Sequence, residues 1–429
     1  MKIAFGRLGC SSLLVVAAWV LTPSSDGVLA ASPSPSARPD PALIERGQAL
    51  ARLGNCEVCH TASGGRPYAG GYPVATPFGR VFGTNLTPEP ETGLGKWSLA
   101  DFVRAMREGR RPDGQHLYPA FPYTHFAKAS DRDLEALYAF LKTLPPVKAS
   151  APANELAFPF NQRALLGLWK KLFHHPEARF APDPKRSEQW NEGAYYVSTI
   201  GHCGACHTPR NALGAERRGD ELSGGTVGGM HAPALADRAR PVVKWTRDAM
   251  IEYLMDGRHP LHGIAAGSMQ PVVDQLAQAP EAMVAAMAEY LTDGLARAPD
   301  EERIVQKAQT LEFVRGSRSH DAASDLGRGE TVFERSCSNC HRQGSSSVPL
   351  ALTTSTVGPD PRSLIRLTLD GIRPPSGSPD KSMPGFASLS DEDLIALVRF
   401  IRARFAPDAR DPDIGKLVRE ARQFERSPK

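Results

Sequence analysis

Three copies of one five-residue pattern dominate the chain: Cys56-Glu57-Val58-Cys59-His60, Cys203-Gly204-Ala205-Cys206-His207 and Cys337-Ser338-Asn339-Cys340-His341. C-x-x-C-H is the attachment signal for c-type haem, in which two thiols form thioethers and the adjacent histidine ligates the iron. Six of the 7 cysteines are used in these copies, and the remaining one, Cys10, lies near the N-terminus. That leaves no thiol for a structural disulfide beyond residue 30. A zinc ribbon would pair two C-x-x-C units at close spacing, whereas these lie more than a hundred residues apart. A redox dithiol has no need of histidine at the next position three times over. Three covalently held haems c are therefore expected, with His60, His207 and His341 as proximal ligands.

A length of 429 residues calls for several domains. The net charge of +4 is ordinary for this length, and there is neither a basic run nor an aromatic stacking platform. Nucleic-acid binding is excluded on those grounds. Residues 1–30 read as an export signal. Lys2 and Arg7 form the positive end, Ser11 to Leu21 the apolar run, and Val28-Leu29-Ala30 a small-residue cleavage site. The run is short for a membrane span, with an uncleaved anchor as the alternative. Export fits haem attachment outside the bacterial cytoplasm, and the expected location is the periplasm, at the outer face of the inner membrane.

The motifs divide the chain into three units, residues 41–148, 187–297 and 326–405, joined by linkers 149–186 and 298–325 and followed by a charged tail, 406–429, expected to be loose. Each unit repeats one plan. A glycine-bearing helix leads into the motif (Arg46-Gly47, Glu192-Gly193, Arg328-Gly329), a Gly/Pro-rich stretch follows, and an amphipathic helix closes the unit. Leu134, Leu137, Tyr138 and Leu141 recur at helical spacing behind Ser130-x-x-Asp133, a capping-box pattern. Leu394, Leu397, Val398 and Ile401 do the same behind Ser390-x-x-Asp393, and Val284, Met287 and Leu291 serve in unit two. The fold class is all-α, with three tandem class I cytochrome c-type domains.

The distal ligand of such a haem is commonly a methionine on the loop before the last helix. Met383 in Ser-Met-Pro-Gly-Phe and Met269 in Gly-Ser-Met-Gln-Pro hold that place. Met230 and Met255 are better read as core. Unit one departs, because its loop reads Tyr118-Pro119-Ala120-Phe121-Pro122-Tyr123 and phenylalanine cannot bind iron. His125 is the expected ligand there, giving bis-histidine ligation and a lower potential. His116, Met106 and a five-coordinate iron remain open. Trp97 and Trp245 pack on a haem edge or bond a propionate.

The strings Tyr68-Ala69-Gly70-Gly71, Thr76-Pro77-Phe78-Gly79, Asn85-Leu86-Thr87-Pro88, Phe102 to Gly109 (FVRAMREG) and Gly201 to Ala212 carry a resemblance to the triheme cytochrome c subunits of bacterial membrane-associated dehydrogenases. It covers nearly the whole chain beyond residue 30. One branch of that family partners PQQ- or flavin-dependent alcohol, gluconate or sorbitol dehydrogenases. The other partners molybdenum hydroxylases acting on aldehydes or N-heterocycles. The Phe121 loop, Phe158-Pro159-Phe160-Asn161 and Ala266 to Val273 look more like the second. The resemblance implies an electron-transfer subunit that works with a catalytic dehydrogenase subunit and a small accessory subunit. Quinone or a terminal oxidase would be the acceptor, and the chain would oxidise no substrate of its own. A free-standing carrier and a peroxidase-like protein using the first haem are the alternatives. Phe158 to Phe173, rich in leucine with Lys170 and Lys171, is either an interfacial helix on lipid or a segment packed between domains.

Overall fold

A computed structural model describes residues 40–426 except 296–299, 318, 374–381 and 410–411, and describes side chains as far as residue 423. The export-signal reading of residues 1–30 lies outside the described residues. Unit one comprises α1 (Pro41–Leu53), α2 (Cys56–Cys59), β1 (Pro73–Thr76), β2 (Gly79–Phe82), α3 (Leu99–Glu108), α4 (Tyr123–Phe126) and α5 (Asp131–Thr143). The linker adds β3 (Glu155–Leu156) and α6 (Leu166–Phe173). Unit two comprises α7 (Glu188–Ser198), α8 (Gly204–His207), β4 (Gly225–Val227), β5 (Met230–Ala232), α9 (Arg247–Asp256), β6 (Arg258–His259), β7 (Gly263–Ile264), α10 (Gln270–Leu276) and α11 (Glu281–Thr292). Then come α12 (Glu301–Thr310), α13 (Asp325–Ser336), α14 (Thr354–Val357), α15 (Arg362–Asp370), α16 (Asp391–Phe405) and α17 (Ile414–Arg426). The chain is largely helical. Antiparallel β1-β2-β3, β4-β5 and β6-β7 are small additions to the all-α expectation.

The first helix of each unit crosses its last: α1 on α5, α7 on α11, α13 on α16. A glycine sits at each crossing. A Cβ on Gly47 would lie 1.9 Å from the Ala136 carbonyl oxygen, on Gly193 1.9 Å from that of Ala286, and on Gly329 2.1 Å from that of Ala396. The expected apolar stripes face these crossings. Leu134, Leu137, Leu141, Val284, Met287, Leu291, Leu394, Leu397, Val398 and Ile401 are all buried.

The capping boxes are half realised. Ser130 and Ser390 accept from the backbone of Asp133 and Asp393. Those carboxylates turn instead to the arginine before the crossing glycine. Arg46 Nε donates to Asp133 at 3.0 Å and Arg328 Nε to Asp393 at 2.7 Å. Each ion pair ties the closing helix to the opening one.

Units one and two share one core, in which Leu50, Leu53 and Leu137 join Tyr196, Ile200, Val284 and Met287. Unit three has its own, built on Phe333, Ile365, Leu397 and Phe400. Val243 and Leu261 of unit two reach into it, and Ser363 of α15 exchanges hydrogen bonds with the backbone of His231 in β5 at 2.9 and 3.0 Å.

Two boundaries differ from expectation. The stretch 298–325 contains α12, whose Ala308 is buried in the unit-three core beside half-buried Ile304 and Val305. The tail is not loose. Ile414, Leu417, Val418 and Ala421 fall on one face of α17, which the described residues bury against α15 and α16. Its many charges hid that four-residue stripe.

The linker helix α6 packs by one face alone. Lys170 is buried and its Nζ donates to the carbonyls of Glu108 and Gly109 at 2.6 Å each, closing the C-terminus of α3. Leu165, Leu168 and Leu172 remain exposed, at 52, 61 and 54%. Among the described residues no helix is long and apolar enough to cross a membrane.

Candidate functional site

Each C-x-x-C-H folds as one helical turn directly after the opening helix. His60 N bonds to Cys56 O at 3.1 Å, His207 N to Cys203 O at 3.0 Å and His341 N to Cys337 O at 2.9 Å. Positions i, i+3 and i+4 of such a turn share a face. Both thiols and the imidazole of each motif therefore share a face, and the first cysteine of each, Cys56, Cys203 and Cys337, packs half-buried on a core whose rim is apolar, while Cys340 is exposed. In unit one that rim includes Leu86, Trp97, Phe121 and Tyr138; in unit two, Leu222, Leu235, Trp245 and Met269; in unit three, Val348, Leu350 and Leu389.

Among the described residues the six motif cysteines form no disulfide. Burial pushes the thiols of Cys56, Cys203 and Cys337 up to about 12. Cys59 is pushed up to about 11, first by burial and then by the charge of nearby Cys206. Burial thus keeps these four thiols in their neutral form in the folded chain. Among the described residues no three His, Cys, Asp or Glu side chains gather as a metal site.

The histidines are oriented for ligation through Nε2. His60 Nδ1 donates to Thr84 O at 2.6 Å, and His207 Nδ1 to Pro233 O at 2.6 Å. Such a bond fixes ring and tautomer and leaves the other nitrogen as the donor to a metal. Burial lowers all three imidazoles below their ordinary 6.5, so they are neutral at pH 7. His341 Nδ1 is buried with no partner among the described residues. The donor set, its orientation and its apolar walls fit a covalently bound haem, whose iron would supply one-electron chemistry.

Met269 and Met383 lie where the loops return toward the closing helices. Met269 ends a 3-10 turn and packs half-buried against the shared core. Met383 pairs with Ile372 through two backbone bonds of 2.9 Å. Trp245 stacks on His262, centroids 3.5 Å apart and tilted by 15°.

His125 does not stand as expected. It is buried on α4, its Nδ1 bonded to Ser198 O at 3.1 Å and its Nε2 to the Glu216 carboxylate at 2.8 Å. A Cβ on Gly204, inside the second motif, would lie 2.9 Å from its ring. With both nitrogens engaged at the junction with unit two, His125 ties two units together. His116 lies beneath α6, 3.2 Å from a Cβ built on Gly167. Met106 is buried in the core on α3. The carbonyl partners Thr84 and Pro233 and the pair of Arg46 with Asp133 escaped sequence reading. Thr84 directly precedes Asn85-Leu86-Thr87-Pro88, the one signal that pointed there.

Turn, orientation and helix crossing together define a c-type cytochrome. A model described as cytochrome c matches residues 44–145, and one described as cytochrome c oxidase, cbb3-type, subunit III matches residues 324–401. The chain belongs to the cytochrome c subunits of bacterial dehydrogenases, and its function is electron transfer. It is 34% identical to the gluconate 2-dehydrogenase cytochrome c subunit of Pantoea cypripedii, over 90% of each chain. It is 35% identical to the cytochrome c subunit of the quinone alcohol dehydrogenase of Komagataeibacter europaeus, over 86% of this chain and 82% of that one. A nicotinate dehydrogenase subunit of Pseudomonas putida is 43% identical over 90% of this chain, which spans 32% of that protein's length.

Proposed function

We propose that the chain is a triheme electron-transfer subunit that takes electrons from a catalytic dehydrogenase subunit and passes them to quinone or a terminal oxidase at the periplasmic face of the inner membrane. Cys56, Cys59 and His60 hold the first haem, Cys203, Cys206 and His207 the second, and Cys337, Cys340 and His341 the third. Met269 and Met383 close the second and third irons. The observation that carries this reading is the repetition of one turn, two thiols and one imidazole on a face, behind each of three glycine-crossed helices. The protein supplies fixed imidazoles, apolar walls that keep water from the metal, and thioethers that raise the potential in units two and three.

The 43% identity to a protein of nicotinate dehydrogenase, against 34 and 35% for the gluconate and alcohol enzymes, supports a partner of the molybdenum hydroxylase class. Affinity purification from native membranes, with haem, molybdenum, PQQ and flavin analysis, tests both parts. Three haems per chain with a molybdenum-containing partner is the expected result. PQQ or flavin would move the chain to the other branch. Absence of any partner would make it a free carrier.

A further inference from the structure

We propose that the iron of unit one has His60 as its one protein ligand, and that the position opposite is a binding site for a small diatomic π-acceptor such as carbon monoxide. The proposal rests on the reading that Cys56, Cys59 and His60 hold a haem.

Units one and two run in register here. Helices α3 and α9 each end on a left-handed glycine, Gly109 with φ 61° and Gly257 with φ 71°. Each glycine carbonyl accepts from the residue eight positions on, Leu117 N and Ala265 N, both at 2.7 Å. Between them the chain makes the same tight hairpin, Arg110 opposite His116 and Arg258 opposite Ile264. The two loops are thus aligned residue for residue up to Leu117 and Ala265. Four residues further stand Phe121 in one and Met269 in the other, both half-buried on the shared core. Phe121 occupies the ligand's place in the fold and carries no lone pair.

Among the described residues no side chain near Phe121 takes its place. His125 has both ring nitrogens bonded, to Ser198 O and to Glu216, and Arg210 lies 3.6 Å from the same carboxylate. The Tyr123 ring is turned under the linker, against His174 and Trp169 at 4.8 and 6.3 Å. His116 lies under α6 as well. Met106 stands three residues before Gly109, as Leu254 stands three before Gly257, and both are core positions, 6 and 4% exposed. A methionine whose aligned partner is a leucine is filling volume. Phe121 and Phe126, ring centroids 5.2 Å apart, would line that position with aromatic carbon, which disfavours charged ligands and admits small neutral ones.

The test uses the full haem-loaded chain. A pyridine haemochrome assay counts haems, and the dithionite-reduced protein is titrated with carbon monoxide. One carbon monoxide per chain is expected, together with a high-spin ferric EPR signal from one haem in three. Phe121→Met should abolish both, while Met106→Leu and His125→Gln leave the stoichiometry unchanged. Three haems with no carbon monoxide bound would overturn the proposal. So would a site that opens only in His125→Gln or only in Met106→Leu, since that residue would then be the ligand. A count of two haems, unaffected by Cys56→Ala with Cys59→Ala, would instead overturn the underlying reading of unit one.

Discussion

At the scale of single residues, the three crossing glycines leave no room for any side chain. A methyl group on Gly47 or Gly193 would have to occupy the space of a carbonyl oxygen 1.9 Å away. Backbone cannot yield as a flexible side chain can, so the helices must part. Gly47→Ala or Gly193→Ala should destabilise by more than about 4 kcal/mol, at the exceptional end for a point substitution. Haem incorporation and the denaturation midpoint of the purified variants measure this. Much at this scale was legible beforehand. The thiols and proximal histidines carry a fixed spacing that local turn geometry converts directly into a shared face. The partners of His125 are not legible in the same way, because ligand chemistry says what a side chain can do and only the tertiary fold says what holds it. Ser198 and Glu216, its partners, lie 73 and 91 residues away.

At the scale of elements, the closing helices were legible from their periodicity, whereas α17 was not. Its buried face is one narrow stripe among many charged or polar neighbours, and composition outweighed spacing. Val418 is fully buried on that stripe. Val418→Asp should therefore cost about 3 kcal/mol in unit three, as an unpaired charge forced into apolar surroundings. Differential scanning calorimetry should show the transition of that unit falling alone.

The linker carries a second element-scale prediction, in pH. His174 follows α6, and its ring donates to Arg107 O at 2.7 Å. Burial, against the opposing pull of that bond, lowers it from 6.5 to about 4. The folded chain thus holds the neutral ring where the unfolded chain would already be protonated. This contribution to stability is complete above pH 6.5 and is lost as pH falls from there toward 4. Between pH 6.5 and 5 the loss should be at most about 2 kcal/mol. His174→Phe should flatten that part of the stability profile measured by urea unfolding.

At the scale of the whole molecule, the repeat in sequence and the partition in space disagree. Three motifs and three glycine crossings announce three equivalent units, but two of them close around a common interior. His202 of unit two bonds to Gly54 O of unit one at 3.1 Å, and Tyr195 meets Asp133 at 2.5 Å. No pattern within either repeat marks these contacts, because each is made between stretches more than sixty residues apart. Thermal unfolding of the haem-loaded chain should accordingly show two transitions and not three, the larger covering residues 40–295. Substituting Tyr196, which is fully buried and reached by Arg46 at 3.0 Å, should lower that larger transition and leave the other in place.

That common interior also sets an order in time. A chain is made from its N-terminus, so the first motif emerges well before residues 196–291, which complete the core around it. Until they arrive, α1 and α5 have one another but not their apolar cover. The first pair of thiols therefore stays accessible to the attachment machinery for longer than its place in the chain would suggest. Unit three, whose interior is almost wholly its own, has no such interval. On the proposed assignment, loading of the first two sites would be tied into one event, closed by the arrival of α11.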